Sequence, residues 1–286
     1  MNYRHAFHAG NFADVIKHII LTRIICYMQN KEKGFRVLDT HAGTGLYDLS
    51  SDESHRSPEW KQGIQALMDA DRSKELNALI KPYLDVIEGL NSSGTLKLYP
   101  GSPLLARKLL REQDRLTATE LHPRDAIKLK AHFEGDHQVK AIELDGWQAL
   151  VAHMPPKEKR GVILVDPPFE KPQEFTRMAS GLFRAHKRFS TGTYALWYPI
   201  KDVAQIETFA TQLYDTGIKK VLRIEFNIAK STNPPSLHGT GMIVVNPPFT
   251  LIKELNFIFT ELQPIFAPEG KGKFEIDWIY NEDEKN

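Results

Sequence analysis

A run of aliphatic residues in the middle of the chain stops at two adjacent prolines. The run is Val162–Val165, and Asp166, Pro167, Pro168 and Phe169 follow it. Continuous apolar runs of this length are typical of strands that are buried on both faces of a parallel sheet. Neither proline can donate a hydrogen bond to a neighbouring strand, so the strand must end there. We therefore expect an α/β fold in which this strand end lies at the edge where open sheets bind ligands.

The groups at this strand end suit the recognition of an amino group on a flat ring. Asp166 and the carbonyl of Pro167 can each accept a hydrogen bond from an exocyclic or amide NH2 group, and Phe169 can stack on the ring. The alternative interpretation is that the two prolines only end the strand and that these four residues bind no ligand. The rest of the chain has to decide between the two interpretations.

Three earlier strands are also predicted to end at an acidic residue, namely Asp39, Glu120 and Asp145. Parallel strands end at the same edge of a sheet, so four acids in succession favour a binding site over chance. Gly43 and Gly45 follow Asp39 and allow a tight turn under a nucleotide-like ligand. The motif lacks a third glycine, which argues against a loop that binds the pyrophosphate of a dinucleotide.

The separation of Asp39 from Glu120 along the chain predicts an insertion. Glu120 lies 81 positions after Asp39, whereas the corresponding acid of a minimal doubly wound unit lies only about 20 residues further on. Apolar residues occur at helical spacing within residues 52–95. We therefore expect a small helical subdomain at 52–95, inserted into a sheet domain that is formed by residues 1–51 and 96–286.

Seven strands are expected, in a mostly parallel sheet with helices on both faces. Beyond the four acid-ended strands, a fifth is predicted at Thr193–Tyr198 and a terminal pair at Val221–Ile228 and Met242–Val245. The segment Lys273–Tyr280 alternates as an edge strand or a docking segment would. Ser102, followed by a proline, is predicted as the N-cap of the crossover helix after the insertion.

The N-terminal region combines aromatic and histidine residues with the start of a helix. Asn11 and Asp14 resemble a capping box, which predicts a helix from there to about residue 30. His5, His8, Asp14 and His18 carry groups that can bind a metal ion. We interpret them instead as stacking and hydrogen-bonding residues, and no metal site is expected.

A near-copy of the proline motif occurs later in the chain, at Asn246–Phe249, with an amide in place of the carboxylate. By chain order it follows the seventh strand, in the antiparallel part of the sheet and away from the switch point. Asp166 follows the fourth strand, which is expected to lie beside the first. We therefore assign the ligand site to Asp166 and interpret Asn246–Phe249 as a strand stop.

Composition excludes several classes of protein. The formal net charge is +1, so no global field indicates nucleic acid, and any basic surface must be local. The single Cys26 cannot form a disulfide within the chain, which fits a cytoplasmic location. No apolar stretch reaches membrane-spanning length. The candidate basic patches, each of which is equally well explained as a solvated helix face, are Arg107/Lys108/Arg111, Arg184/Lys187/Arg188 and Lys219/Lys220/Arg223.

Taken together, these motifs resemble those of class I S-adenosylmethionine-dependent methyltransferases, which have a Rossmann-like fold. The matching elements are the turn Asp39–Gly45, Glu120, Asp145 with Gly146, and Asp166–Phe169. The last is the signature of enzymes that methylate an exocyclic or amide nitrogen. The N-terminal block Tyr3–His18 narrows the resemblance to the bacterial 23S ribosomal RNA adenine-N6 methyltransferase family of the J type. The resemblance covers essentially the whole chain.

The resemblance implies a cofactor, a partner and a set of site residues. The cofactor is S-adenosyl-L-methionine, and the partner is 23S ribosomal RNA, either naked or in an early assembly intermediate. It implies that Asp166, Pro167 and Phe169 act on the target adenine, and that Tyr3, Arg4, His5 and Phe169 lie near the substrate base. The residues implied at the cofactor are His18, His41, Gly43, Ser102, Glu120, Asp145, Gly146 and Asp166. We expect a cytoplasmic monomer that is not bound to a membrane.

Three other functions stay open from the sequence. A DNA adenine-N6 methyltransferase shares the tetrapeptide but usually needs a target-reading domain, for which only the insertion is available. A protein-glutamine methyltransferase would fit the Asn246 motif better than the Asp166 motif. A non-catalytic RNA-binding module with a relic cofactor pocket would not need all four strand-end acids.

Overall fold

A central sheet with helices on both faces forms the core of the protein, in a computed structural model that describes residues 5–171, 173–230 and 236–281. Within these residues the strands are β1 (Arg36–Asp39), β2 (Leu46–Asp48), β3 (Leu98–Pro100), β4 (Arg115–Glu120), β5 (Val139–Glu143), β6 (Gly161–Val165), β7 (Thr193–Ile200), β8 (Val221–Asn227), β9 (Gly239–Val245) and β10 (Lys273–Tyr280). The α-helices are α1 (Phe12–Met28), α2 (Asp52–Arg56), α3 (Ile64–Asp69), α4 (Lys74–Leu90), α5 (Ser102–Leu109), α6 (Pro123–His132), α7 (Gly146–Ala152), α8 (Glu174–Arg188), α9 (Val203–Asp215) and α10 (Leu251–Phe266). Short 3-10 helices lie at His5–Phe7 and Glu59–Gln62.

The strand order places a switch point beside β1. Across the large sheet the order is β10-β8-β9-β7-β6-β1-β4-β5. The strands from β7 to β5 in this order are parallel, whereas β9, β8 and β10 are antiparallel to their neighbours. The chain runs from β1 outward to β4 and β5 and then returns to β6 on the other side of β1. The C-terminal ends of β1 and β6 therefore flank the crevice in which open α/β sheets bind ligands.

The large sheet has eight strands, so the predicted number of seven was wrong. The additional strand is β10, which covers the alternating C-terminal segment and pairs antiparallel with β8 from Lys273 to Tyr280. The interpretation of this segment as an edge strand is thereby confirmed. A separate hairpin of β2 and β3 was not predicted, because strands of three residues are too short to show a period of two.

The alternation of side chains along β6 explains why its sequence is continuously apolar. All five of its residues are buried. Val162 and Leu164 pack into the core beneath α1, α5 and α10, whereas Ile163 and Val165 pack against α7, α8 and α9. Helices thus cover both faces of the strand, as expected for a parallel sheet. Among the described residues, no helix has both the length and the apolar character needed to cross a bilayer.

Helix α1 lies in the interior and brings the N-terminal residues to the edge of the sheet. Asn11 is its N-cap and accepts a hydrogen bond from the Asp14 N–H at 2.9 Å, which confirms the predicted start. The helix packs against the sheet, against α5 and α10, and against α4 of the region 52–95. Residues 52–90 are largely helical, as predicted. The division into an inserted subdomain stays a prediction, because α4 shares its core with α1.

Gly63, just before α3, fixes the N-terminal segment on this helical region. The Ile64 N–H donates to the Gly10 carbonyl at 2.8 Å. A Cβ on Gly63 would lie 2.1 Å from that carbonyl oxygen and 2.5 Å from the carbonyl carbon of Asn11. The two backbones are therefore in contact at a distance that only glycine allows.

Gly63→Ala should consequently destabilise the protein by about 1–3 kcal/mol, since two backbone segments would have to move apart. Gly89→Ala is the matched control, because Gly89 lies inside α4 with nothing within 4 Å of its added Cβ. That change should be neutral or stabilising by up to about 1 kcal/mol. Urea unfolding of the two variants measures the difference, and equal effects would contradict the proposed contact.

Candidate active site

A cavity of about 710 Å³ opens at the C-terminal edge of the sheet, beside the switch point. Its volume lies in the range of small-molecule sites. All of the residues predicted to bind the cofactor line it: His18, His41, Gly43, Ser102, Glu120, Asp145, Gly146 and Asp166. Residues from distant parts of the chain thus meet in one place. Their individual roles stay predictions.

A lysine and two aspartates form a buried ion cluster in the wall of this cavity. Lys17 Nζ lies 2.6 Å from Asp166 Oδ2 and 2.8 Å from Asp14 Oδ1, and the lysine side chain is only 4% exposed. Asp14 also accepts a hydrogen bond from the Gly10 N–H at 3.0 Å and pairs with His5 Nε2 at 2.8 Å. Burial alone would lower the pKa of Lys17, but the two carboxylates outweigh it and raise the pKa. The ammonium group therefore stays charged.

Sequence reasoning did not place Lys17 at the cavity, which it lines in the structure. Its spacing of three positions from Asp14 places both side chains on one face of a helix, and this was the only available signal. The second partner of Lys17 is Asp166, which lies 149 positions further along the chain, directly after β6.

Asp39 is a second buried carboxyl group at this edge. It is 1% exposed, and its Oδ2 accepts a hydrogen bond from Ser102 Oγ at 2.6 Å. Burial raises the pKa of Asp39 to about 7, the Ser102 bond opposes this effect, and the nearby charge of Asp166 adds to it. The prediction of Ser102 as the N-cap of α5 was wrong, because Gly101 occupies that position. The Ser102 hydroxyl is bonded to Asp39 instead.

Glu120, at the end of β4, holds the glycine turn in place. Its Oε2 accepts a hydrogen bond from the Gly43 N–H at 2.9 Å, and its Oε1 accepts one from the His122 N–H at 2.7 Å. Burial raises the pKa of Glu120, although these N–H groups favour the ionised form. Gly43 has a φ of +59°, and a Cβ there would lie 2.2 Å from the Tyr47 hydroxyl. Glycine is therefore required at the base of the turn.

Asp145 and Gly146 bring α7 against the turn that follows β1. The Asp145 carboxylate caps α7 by accepting hydrogen bonds from two N–H groups of its first turn, at 2.8 and 3.1 Å. A Cβ on Gly146 would lie 2.3 Å from the Thr40 carbonyl oxygen and 2.6 Å from His41 Nε2. Burial lowers the pKa of His41 to about 4, so its ring is neutral near pH 7.

His18 presents an unpaired ring nitrogen in the cavity wall. Its Nδ1 lies 2.9 Å from the Tyr99 hydroxyl, and the two rings are stacked with centroids 5.5 Å apart. Its Nε2 is buried and has no hydrogen-bond partner among the described residues. Burial lowers the pKa of His18 to about 3, so the ring is neutral. A buried polar atom without a partner in the wall of a cavity fits a polar ligand.

The residues predicted to bind the substrate are only partly brought together. Pro167 and His5 line the cavity. Phe169 lies outside the lining, where its ring packs against Phe175 and Trp197 at centroid distances of 5.0 and 5.9 Å. Tyr3 and Arg4 lie outside the described residues. The stacking role of Phe169 stays a prediction.

The near-copy at Asn246 lies at the opposite edge of the sheet. Strand β9 runs antiparallel to β7, so its C-terminal end meets the beginning of β7. The Asn246 side chain donates hydrogen bonds to the carbonyls of Ser190 and Gly192 at 2.9 and 2.8 Å. These contacts fit the interpretation as a strand stop. Among the described residues, no group of three or more His, Cys, Asp or Glu is arranged to hold a metal ion.

The charges around the cavity favour a cationic ligand. Eight aspartate or glutamate residues line it, against four lysine or arginine residues, so the lining is unfavourable for a pyrophosphate. S-adenosylmethionine carries a sulfonium and an ammonium group, and the unpaired nitrogen of His18 and the open turn at Gly43 also suit it. This lining, the strand order and the acids at the ends of the parallel strands define a class I S-adenosylmethionine-dependent methyltransferase.

Comparison with known proteins specifies the family. Residues 32–280 match the family model described as "Ribosomal RNA large subunit methyltransferase D, RlmJ". The chain is 42% identical to Ribosomal RNA large subunit methyltransferase J of Escherichia coli (strain K12), over 99% of this chain and 100% of that protein. It is also 42% identical to the protein of the same name from Haemophilus influenzae, over 98% and 99% of the two chains. The crystal structure of protein LPL1258 from Legionella pneumophila has a TM-score of 0.86 and 36% identity, and the match covers 95% of this chain and 98% of that chain. The chain belongs to the RlmJ family of ribosomal RNA large subunit methyltransferases.

The buried carboxyl of Asp39 predicts a dependence of stability on pH. Its pKa of about 7 in the folded protein lies above the usual 3.8. Between about pH 4 and pH 7 the folded state therefore binds more protons than the unfolded chain, so this group lowers the free energy of unfolding as the pH rises. Asp39→Asn removes the titration. When the pH rises from 5 to 8, the free energy of unfolding of the variant should increase relative to that of the wild type by on the order of 1–3 kcal/mol. Urea unfolding at both pH values measures this gain, and a difference that does not change with pH would contradict the assignment.

Proposed function

We propose that the protein transfers a methyl group from S-adenosyl-L-methionine to the exocyclic N6 of an adenine in 23S ribosomal RNA. The observation that carries the proposal is the position of Asp166. It follows β6 at the switch point, lines the cavity and is paired with the buried Lys17. The relatives from E. coli and H. influenzae are named as ribosomal RNA large subunit methyltransferases, which supports RNA over DNA or protein as the substrate.

The residues at the strand ends would hold the cofactor. The open turn at Gly43 and the ring nitrogen of His18 suit the polar methionine end. Glu120 suits the two ribose hydroxyls, and Asp145 suits the amino group of the adenine. When bound, the cofactor supplies an electrophilic methyl group on a positively charged sulfur.

Asp166 and the carbonyl of Pro167 would accept the hydrogens of the target amine. Lys17 holds Oδ2 of Asp166, and Oδ1 has no hydrogen-bond partner in the part of the chain that the structure describes. One carboxylate oxygen is therefore available to the substrate. Two fixed acceptors orient the lone pair of the nitrogen, so Asp166 and Pro167 promote the reaction mainly by positioning. Asp166 then takes up the proton that the nitrogen releases.

The target adenine has to leave its helix to reach these groups, because N6 is inaccessible inside a stacked duplex. Phe169 is the proposed stacking face for the flipped base, and movement of its ring away from Phe175 and Trp197 would be needed. Tyr3, Arg4 and His5 are the proposed N-terminal contacts to the base. We further propose that the protein acts in the cytoplasm as a monomer, on naked RNA or on an early assembly intermediate.

The assignment is tested by transfer of labelled methyl groups to 23S ribosomal RNA, DNA and protein, followed by mass analysis of the nucleosides. We expect label in N6-methyladenosine from RNA. Asp166→Ala should lower kcat by about 100- to 10,000-fold, because the acceptor of the amine proton is lost. Label in DNA or protein alone would overturn the choice of substrate, and full activity of the variant would overturn the role of Asp166.

Lys17→Met should lower kcat by about 100-fold or more. Without the Lys17 ammonium group, the Asp166 carboxylate would no longer be held in position to accept a hydrogen bond from the N6 amine of the adenine. Arg23→Met is the control on the same helix, since it removes the ion pair of Arg23 Nε with Glu254 Oε2 at 2.8 Å, away from the cavity. It should lower stability and leave kcat unchanged. Thermal unfolding and cofactor titration of both variants separate a loss of fold from a loss of catalysis. Equal losses of kcat would exclude a specific role for Lys17.

A further inference from the structure

The acidic lining of the cavity raises the question of where the phosphates of the RNA bind. Eight carboxylate side chains face four cationic ones there, so the phosphates that flank the target base are repelled from the cavity itself. Phosphate contacts nevertheless supply much of the affinity of proteins for nucleic acid. A basic surface must therefore begin at the mouth of the cavity and lead away from it.

The arginines of two of the three basic patches found in the sequence are paired with carboxylates within the fold. Arg107 pairs with Asp136 at 2.6 Å, and Arg111 pairs with Asp114 at 2.9 Å. Arg223 lies between Asp277 and Glu207, at 2.9 Å from each. These arginines hold the structure together. The exposed Lys108 and Lys219 have no ion pair among the described residues, so each patch keeps one such cation.

The third patch, on α8, is different. Arg184, Lys187 and Arg188 are exposed, and none of them forms an ion pair with a carboxylate among the described residues. Arg184 donates to the Ser180 carbonyl, and Lys187 Nζ lies 4.1 Å from the centre of the Phe183 ring. Glu174 is the single acid in the helix, and it pairs with Arg177 in the first turn. The outer face of α8 is therefore purely cationic beyond that turn.

This face connects directly to the cavity. Arg177 lines the cavity, and Arg188 lies 11 residues further along the helix, which corresponds to about 16 Å. The neighbouring α7 contains no charged residue. At the far end, Arg188 donates to the Met154 carbonyl at 3.0 Å, which places the turn with the exposed Lys157 and Lys159 beside the helix.

We propose that the outer face of α8, from Arg184 through Lys187 to Arg188, binds the phosphate backbone of the RNA strand that delivers the target base. We call this face the α8 track. The inference rests on the proposed RNA methyltransferase function. The side chains of the track contact phosphates and not bases, so they contribute affinity without reading sequence.

The double substitution Arg184→Gln/Lys187→Gln tests the track, and Lys74→Gln/Lys253→Gln is the matched control, with two exposed lysines that have no ion pair among the described residues. Binding of transcribed 23S ribosomal RNA is measured over a range of salt concentrations. The slope of log K against log salt should become less steep by about 1.5 in the track variant and stay unchanged in the control. At physiological salt the KM for RNA should rise about tenfold, whereas kcat at saturating RNA and the affinity for S-adenosylmethionine should not change.

Methyl transfer by the wild type is measured in the same experiment. If the wild type does not methylate RNA, the proposed function fails. If it does, but the salt slope of the track variant equals that of the wild type or of the control variant, the track is overturned. A lowered kcat at saturating RNA would also overturn it, because α8 would then act on the reaction centre and not on the backbone.

Discussion

The ammonium group of Lys17 is buried between the carboxylates of Asp14 and Asp166, and it joins the first helix to the end of β6. Charges so far from water are stable only when they are paired and hydrogen-bonded. Asp14 in turn holds the Gly10 N–H and the His5 ring, so the N-terminal segment is arranged around the same cluster. The position of α1, the orientation of the Asp166 carboxylate and the path of residues 5–11 are therefore parts of one electrostatic arrangement.

The sequence predicted the architecture well wherever the signal was local. The apolar run of β6, the cap at Asn11 and the acids at the strand ends each depend on a few neighbouring residues, and their order along the chain determined the switch point. Lys17 was missed because its decisive partner is distant in sequence. Ser102 was wrongly predicted as an N-cap because the local sequence shows only the proline that follows it. The hydrogen bond from its hydroxyl to Asp39 joins residues that are distant in sequence. The β2–β3 hairpin was too short to carry a periodic pattern.

The two proline motifs show how strand direction decides the use of a sequence. Asp166 follows a parallel strand, and Asn246 follows an antiparallel one that lies two strands away, beyond β7. Similar tetrapeptides are therefore placed at opposite edges of the sheet. At one edge the carboxylate meets a buried lysine and a cavity. At the other edge the amide donates to the carbonyls that precede β7, where a carboxylate would be repelled.

The position of β10 at one end of the large sheet and of β5 at the other has a consequence for self-association. Among the described residues, no strand pairs with the outer side of either one, and an unpaired strand edge can recruit a strand from another molecule. Lys273 and Glu275 on β10, and Lys140 and Glu143 on β5, are exposed. A strand that added to either end would have to remove these charges from water. Such charges disfavour the addition of a further strand at either end of the sheet.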